Sequence, residues 1–262
     1  MNILAIDTTT KNACVAVKKE NEESSTMIEH NISNEITHSE KLLPLIDATL
    51  KEMDITLPEI DIYACLNGPG SFTGIRIGLA TIKAFAQVQD KEIFAMSSLE
   101  AIAYTTYQHS ILAETGKTAY IASLIDAKNN RVYYSLYKVC KNLSDKIIIT
   151  PLLGNANAPI EKALSFIHMA LKEVSDAPFI DNNDILVAGN GVMQHTNTIL
   201  EKLQEFSMLE TNIQEIYPTT KDLIDAMECL MDTKPYMTNA YTLDAIYARL
   251  SQAERIKYEK DS

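Results

Sequence analysis

Eleven residues decide the fold of this chain: Gly68-Pro69-Gly70-Ser71-Phe72-Thr73-Gly74-Ile75-Arg76-Ile77-Gly78. They join an apolar run, residues 63–66, to a segment of helical periodicity, and their glycines and proline predict a rigid strand-to-helix turn. A glycine-rich helix start presents N–H groups and a positive dipole end, which favours anion binding. A phosphate-binding P-loop, however, places Lys after its last loop glycine, and here Ile follows Gly74. The spacing of Gly74 and Gly78 is equally compatible with the close approach of another helix.

The charge of the chain narrows the classes of partner. Its 35 acidic residues outnumber its 23 Lys and Arg residues, which gives a net charge of -12. Strong direct binding to nucleic acid requires clustered cations, so a protein partner is favoured. The four cysteines are widely separated and form no C-x-x-C pair, which predicts buried, reduced thiols. No apolar run approaches the roughly 20 residues of a membrane span, and residues 1–6 are too short for a signal sequence. We therefore expect a cytoplasmic protein with no membrane partner.

A hairpin pattern occurs twice in the sequence. The apolar run Ile3–Ile6 ends in Asp7 and is followed by a polar turn and a second apolar run. Tyr120–Ile125 ends in Asp126 and continues in the same way. The two aspartates therefore occupy matching places in a cryptic internal repeat.

Each copy of the repeat leads into strands that alternate with helices. This order predicts an α/β fold of two lobes, each with a mixed sheet flanked by helices. We expect a first lobe over residues 1–109, completed by a C-terminal helix over 240–262, and a second, more divergent lobe over 110–239. Duplicated lobes of this kind surround the nucleotide cleft of actin-like and sugar-kinase ATPases.

Six segments resemble the bacterial TsaB (YeaZ) family in their order and spacing. They are Ile3–Thr9, His38–Pro44, Gly68–Gly78, Ser97–Glu100, Asp126–Tyr137 and Tyr247–Glu254. The resemblance implies an actin-like (ASKHA) duplicated fold with RNase H-like lobes. It also implies a role in forming N6-threonylcarbamoyladenosine, the modified base beside the anticodon of certain tRNAs. In that pathway TsaC supplies threonylcarbamoyl-adenylate and TsaD transfers the group to tRNA, with TsaE as a further component. The resemblance implies a scaffold or activating subunit that binds TsaD as a heterodimer, self-associates as a homodimer without it, and meets tRNA only through the complex.

The resemblance also implies that this chain is not the catalyst. TsaD carries two metal-binding histidines, in the pattern Asn-His-x-Glu-Gly-His, at the place where this chain has Ser98 and Ile102. Neither side chain replaces an imidazole nitrogen on a transition metal. We therefore expect no catalytic residue and no metal site.

Helical periodicity predicts where a partner binds. The apolar residues of the segment 42–53 spread over about 160° of a helix, whereas one core-facing stripe needs about 100°. This excess, together with the small residues of the next helix and what the resemblance implies, assigns a partner-binding set: His38, Leu42, Leu45, Ile46, Gly74, Arg76 and Gly78. Arg76 lies in the first turn of its predicted helix, where a cation opposes the dipole, so we expect a carboxylate or phosphate partner for it.

The alternative hypothesis is a small-molecule kinase or ATPase of the same fold class. Asp7 and Asp126 are its candidate acidic groups, and the hydroxyl groups of Thr8 and Thr9 are placed to donate to phosphate. Such a site would bind ATP or ADP weakly with Mg²⁺. The simpler interpretation is that these side chains cap the turn at the end of a strand. No cofactor is then required by this chain.

Overall fold

The computed structural model describes residues 1–33, 38–174, 184–205, 213–232 and 236–248. The strands of these residues form two mixed sheets. The first sheet contains β1 (Asn2–Asp7), β2 (Asn12–Glu20), β3 (Ser25–Ser33), β4 (Ile62–Leu66), β5 (Glu92–Met96) and β11 (Met237–Thr238). The second contains β6 (Ala119–Asp126), β7 (Arg131–Lys141), β8 (Ile147–Pro159), β9 (Ile185–Ala188) and β10 (Ile213–Gln214).

The two sheets repeat the same strand order. The first runs β3-β2-β1-β4-β5, with β11 added at its edge, and the second runs β8-β7-β6-β9-β10. In each sheet the strand that ends in aspartate pairs antiparallel with the next strand along the chain and parallel with a later one. The predicted internal repeat and the predicted two-lobed, actin-like architecture are confirmed.

Helices cover both sheets and separate them. The described helices are α1 (His38–Glu52), α2 (Phe72–Gln89), α3 (Ser98–Gln108), α4 (Ile111–Glu114), α5 (Ile160–Val174), α6 (Gly191–Gln194), α7 (Thr196–Glu205) and α8 (Thr220–Leu230). α1 and α2 pack on the outer face of the first sheet, and α5 and α7 pack on the outer face of the second. α3 and α8 lie in a core that both sheets share. Within the described chain, no helix combines the length and apolar character needed to cross a bilayer.

Strand β1 shows why the strands read as continuous apolar runs. Ile3 and Ala5 face the core between the lobes, whereas Leu4 and Ile6 face α1 and α2. Successive side chains point to opposite faces of a sheet, so a strand covered on both faces must be apolar at every position.

The lobe boundaries remain a prediction. Met237–Thr238, which falls within the predicted second lobe, pairs with β5 at the edge of the first sheet. The predicted C-terminal helix over 240–262 is irregular after a turn in its described part, 240–248, and its remainder lies outside the described residues.

The four cysteines are free. Cys14 pairs across the sheet with Asp7, and Cys65 lies beside Ile6 on β4. Burial, with the nearby Asp7 carboxylate as a second cause, raises the pKa of each of these two thiols to about 12. Their thiolate forms are therefore disfavoured in the folded protein.

We predict that Cys14 and Cys65 resist alkylation in the native state. A pKa near 12, against 9.0 in the unperturbed thiol, lowers the thiolate population at pH 8 by about a thousandfold. Iodoacetamide labelling followed by peptide mass spectrometry should give slow modification without urea and fast modification with it. The pKa of each thiol is higher in the folded state than in the unfolded state. The free energy of unfolding should therefore be unaffected by these thiols below about pH 9 and should fall as the pH rises from 9 towards 12. Equal labelling rates in both states would contradict the assignment.

Candidate functional site

The glycine-rich stretch, residues 68–78, forms an elbow between β4 and α2. Gly68 has φ of 103°, a left-handed backbone conformation that favours glycine. Ser71 caps α2, because its hydroxyl oxygen accepts a hydrogen bond from the Gly74 N–H at 3.2 Å. The elbow therefore ends in a well-defined helix start, as its sequence predicts.

The turn between β1 and β2 docks directly onto this elbow. The Ser71 N–H donates to the Thr9 carbonyl at 2.7 Å, and the Thr8 hydroxyl donates to the Gly74 carbonyl at 2.7 Å. A Cβ atom at Gly70 or Gly74 would overlap the carbonyl oxygens of this turn, and one at Gly78 would overlap the Thr8 hydroxyl. The glycine spacing thus admits a hairpin turn, and not another helix.

This docking also accounts for the backbone amides of the elbow. The Ser71 N–H is bonded to Thr9, the Gly74 N–H is bonded to the Ser71 hydroxyl, and the Ile75 N–H donates to the Ser71 carbonyl at 2.9 Å. Amides with such protein acceptors are not offered to an anion. At these three positions the elbow therefore offers no amide to an anion.

A cleft of about 550 Å³ lies where the two lobes meet. Both hairpin turns line it, together with the elbow and the start of α6. Its lining includes two of the four candidate nucleotide-binding residues, Thr9 and Asp126. The other two lie elsewhere: Asp7 is buried at the end of β1, and the Thr8 hydroxyl is bonded to the elbow.

Each of the two aspartates accepts a hydrogen bond from the backbone N–H group two residues further along the chain. The Thr9 N–H donates to Asp7 Oδ1 at 2.7 Å, and the Lys128 N–H donates to Asp126 Oδ1 at 3.0 Å. Lys128 also places its Nζ atom 2.9 Å from Asp126 Oδ2. Both carboxylates therefore serve turn formation, and an ammonium group accompanies the one that faces the cleft.

The start of α3 borders a second, smaller cavity of about 20 Å³ beside Asp7. Ser98 and Ile102, one helical turn apart, are each only 3% exposed and line it. In the described chain the buried Ser98 hydroxyl has no hydrogen-bond partner. Among the described residues, no group of three or more His, Cys, Asp or Glu side chains is placed to hold a metal ion.

The predicted partner-binding residues are not all on the surface. Leu42 and Ile46 are 1% and 3% exposed in the core beneath α1, and Leu45 is half-buried beside them. Gly74 and Gly78 are buried against Thr8. His38 begins α1, but its side chain lies outside the described part of the structure. Of the set, Arg76 is exposed.

Exposed apolar side chains of this region belong to residues outside the predicted partner-binding set. Leu43 on α1 is 54% exposed, and Val88 at the end of α2 is 85% exposed. Ala80 and Ala84 are exposed between Arg76 and Val88. Their four-residue spacing was the signal that could have identified this ridge in the sequence.

Arg76 contacts aromatic rings. Its guanidinium carbon lies 3.9 Å from the centroid of the Phe72 ring, and its Nε–H donates to the Tyr247 hydroxyl at 3.2 Å. Stacking of this kind contributes roughly 0.5–1 kcal/mol at an exposed site. The structure therefore places two aromatic rings at the guanidinium group. The anionic partner expected from the position of Arg76 stays a prediction.

Comparison with known proteins finds similarity to proteins that are named for tRNA modification. A family model described as TsaD, tRNA N6-adenosine threonylcarbamoyltransferase, matches residues 28–243. The chain is 31% identical over 135 residues to the tRNA threonylcarbamoyladenosine biosynthesis protein TsaB of Haemophilus influenzae, covering 52% of this chain and 53% of that protein. It is 30% identical over 148 residues to the TsaB of Bacillus subtilis, covering 56% and 60%. The chain therefore matches little more than half the length of these relatives.

A solved structure shares the fold along almost the whole chain. YeaZ from Pseudomonas aeruginosa superposes with a TM-score of 0.67 at 22% sequence identity, covering 94% of this chain and 99% of that one. At this identity the likeness is one of fold.

We predict that Gly74→Ala destabilises the protein by about 1–3 kcal/mol, because the new methyl group would overlap the Thr8 carbonyl oxygen and displace the docked turn. Chemical denaturation of the two proteins measures the difference. Gly154→Ala is the matched control, because a Cβ atom there meets open space. Equal losses of stability in both variants would show that docking of the turn is not what requires Gly74.

Proposed function

Because the chain belongs to the TsaB/YeaZ family, we propose that it is a noncatalytic, activating subunit that binds TsaD. In that complex it supports transfer of the threonylcarbamoyl group to the adenosine beside the anticodon of tRNA. The curated relatives are named for threonylcarbamoyladenosine biosynthesis, and the matching family model is that of the transferase itself. Similarity to the transferase supports a role in the same pathway, and the residues at the start of α3 support a role other than catalysis.

The start of α3 carries this proposal. The transferase pattern expects two metal-binding histidines there, and this chain has Ser98 and Ile102, both buried beside Asp7. A hydroxyl group and an aliphatic side chain do not form a transition-metal site. The cavity that they border, at about 20 Å³, has room for about one water molecule.

The surface of α1 and α2 supports binding to another protein. α1 and α2 lie side by side on the outer face of the first sheet. Their outward side chains include Leu43, Ala80, Ala84 and Val88. Exposed apolar side chains that gather on one face of a protein are typical of a protein interface. TsaD is the proposed occupant, and a second copy of the chain covers the same face when TsaD is absent.

The remaining components act on the complex. TsaC supplies the adenylate, TsaE acts with the assembled pair, and tRNA is bound through the complex, because a chain with a net charge of -12 repels phosphate. A cytoplasmic location follows from this role.

The kinase or ATPase hypothesis has less support. The candidate residues fit Mg²⁺ and a nucleotide poorly, because Asp126 is paired with Lys128 and Asp7 is buried in its own turn. The turn that would approach phosphate contains threonines and no glycine, and the elbow amides at Ser71 and Gly74 have protein acceptors. ATP hydrolysis by the isolated chain that disappears in Asp7→Ala would restore this hypothesis.

We predict that the purified chain forms a stable complex with the TsaD of its own organism and that Leu43→Glu weakens this complex at least about tenfold. The substitution places a charge on the exposed apolar face without entering the core. Size-exclusion chromatography with light scattering measures association, and circular dichroism checks the fold.

Two further variants separate the interface from the core. Ile111→Glu, at a residue 65% exposed on α4, is the matched control and should bind normally. Leu42→Glu should unfold the protein, since that side chain is buried. Failure of the wild-type chain to bind TsaD would refute the proposed function, whereas normal binding by Leu43→Glu would move the interface to another surface.

A further inference from the structure

The outward ridge of α2 has an unusual distribution of charge. Phe72, Arg76, Ala80, Ala84 and Val88 follow one another at four-residue spacing, and all five are exposed. Arg76 carries the only charge among them. The helix contains one other cation, the half-buried Lys83, and no acidic residue. On a chain with a net charge of -12, α2 therefore carries positive charges and no negative one.

The guanidinium of Arg76 is held in one orientation before any partner arrives. It lies 3.9 Å from the Phe72 ring centroid and 6.0 Å from that of Tyr247, and the two rings are 5.3 Å apart. Tyr247 is itself positioned by the neighbouring residue, because the Ile246 N–H donates to the Asn67 carbonyl at 2.8 Å. Such preorganisation lowers the entropy that a side chain loses on binding.

The hydrogen bond to Tyr247 uses only one of the N–H donors of the Arg76 guanidinium group. Arg76 uses its Nε–H on the Tyr247 hydroxyl, which is one of the five N–H donors of an arginine. The terminal nitrogens form a fork suited to a carboxylate or a phosphate.

We propose that Arg76 is the charged anchor of the α2 ridge and binds a carboxylate presented by a helix of the partner protein. This inference rests on the proposed function and specifies the partner chemistry at the same surface. The small side chains of Ala80 and Ala84, next along the ridge, leave space for the backbone of a helix to approach. Protein, and not RNA, is the occupant, because the charge of -12 opposes phosphate and the other ridge residues are apolar.

The test measures binding to the TsaD of the same organism at several salt concentrations. Arg76→Glu should weaken binding by about tenfold or more and reverse the way in which added salt changes the association rate. Arg76→Lys keeps the charge but not the fork, so its affinity should be intermediate. Lys162→Glu on α5 is the matched control, since it makes the same change in net charge at an exposed position of the second lobe.

A second variant distinguishes a purely structural role of Arg76 from a role in binding the partner. Tyr247→Phe keeps the ring but removes the hydroxyl acceptor, and it should retain the wild-type salt dependence. Wild-type affinity and salt dependence in Arg76→Glu would overturn this inference and leave the proposed function intact. Failure of the wild-type chain to bind TsaD would overturn both. Binding of tRNA by the isolated chain that is lost in Arg76→Glu would assign the anchor to phosphate and overturn the carboxylate proposal.

Discussion

The β1–β2 turn packs against the start of α2, and the positions of the cleft wall and of the α2 ridge depend on this contact. Thr8 and Thr9 bond to the elbow, and three glycines without side chains make room for them. This contact fixes the start of α2 relative to the end of β1, so it sets both the wall of the cleft and the direction in which the α2 ridge faces. A single added methyl group at Gly74 would disturb all of these features together, because close-packed backbone does not yield gradually. The elbow therefore has a structural role, and the geometry of both the cleft and the α2 ridge depends on it.

The second lobe uses the same solution with different residues. Gly189, with φ of 117°, admits the Leu124 carbonyl, and the Asp126 N–H donates to the Asn190 side chain. Both lobes therefore keep the packing of a strand end against a glycine-containing loop, whereas the residues that line the cleft differ between the two lobes. Lys128 accompanies the aspartate of the second turn, and serine and isoleucine occupy the start of α3. The proposed role of this duplicated framework is to bind a related protein.

The sequence was informative wherever a local rule operates. Glycines, proline and the apolar runs ending in Asp7 and Asp126 predicted the elbow, the repeat and the fold. Contacts between distant segments could not be predicted in this way. Arg76 meets Tyr247 across 171 residues, and no local pattern joins them. Likewise, periodicity showed that α1 has a wide apolar arc but not which part faces the sheet, so Leu42 was assigned to a partner although it is buried and Leu43 is exposed.

We propose that TsaD catalyses the transfer and that this chain activates it. The most direct test supplies threonylcarbamoyl-adenylate and tRNA to this protein alone, to TsaD of the same organism alone, and to the two together, and quantifies modified adenosine by mass spectrometry. We expect modification in the mixture and none with this chain alone. This chain has Ser98 and Ile102 at the positions where the transferase pattern has metal-binding histidines. Modification by this chain alone, or full activity of TsaD without it, would contradict the account.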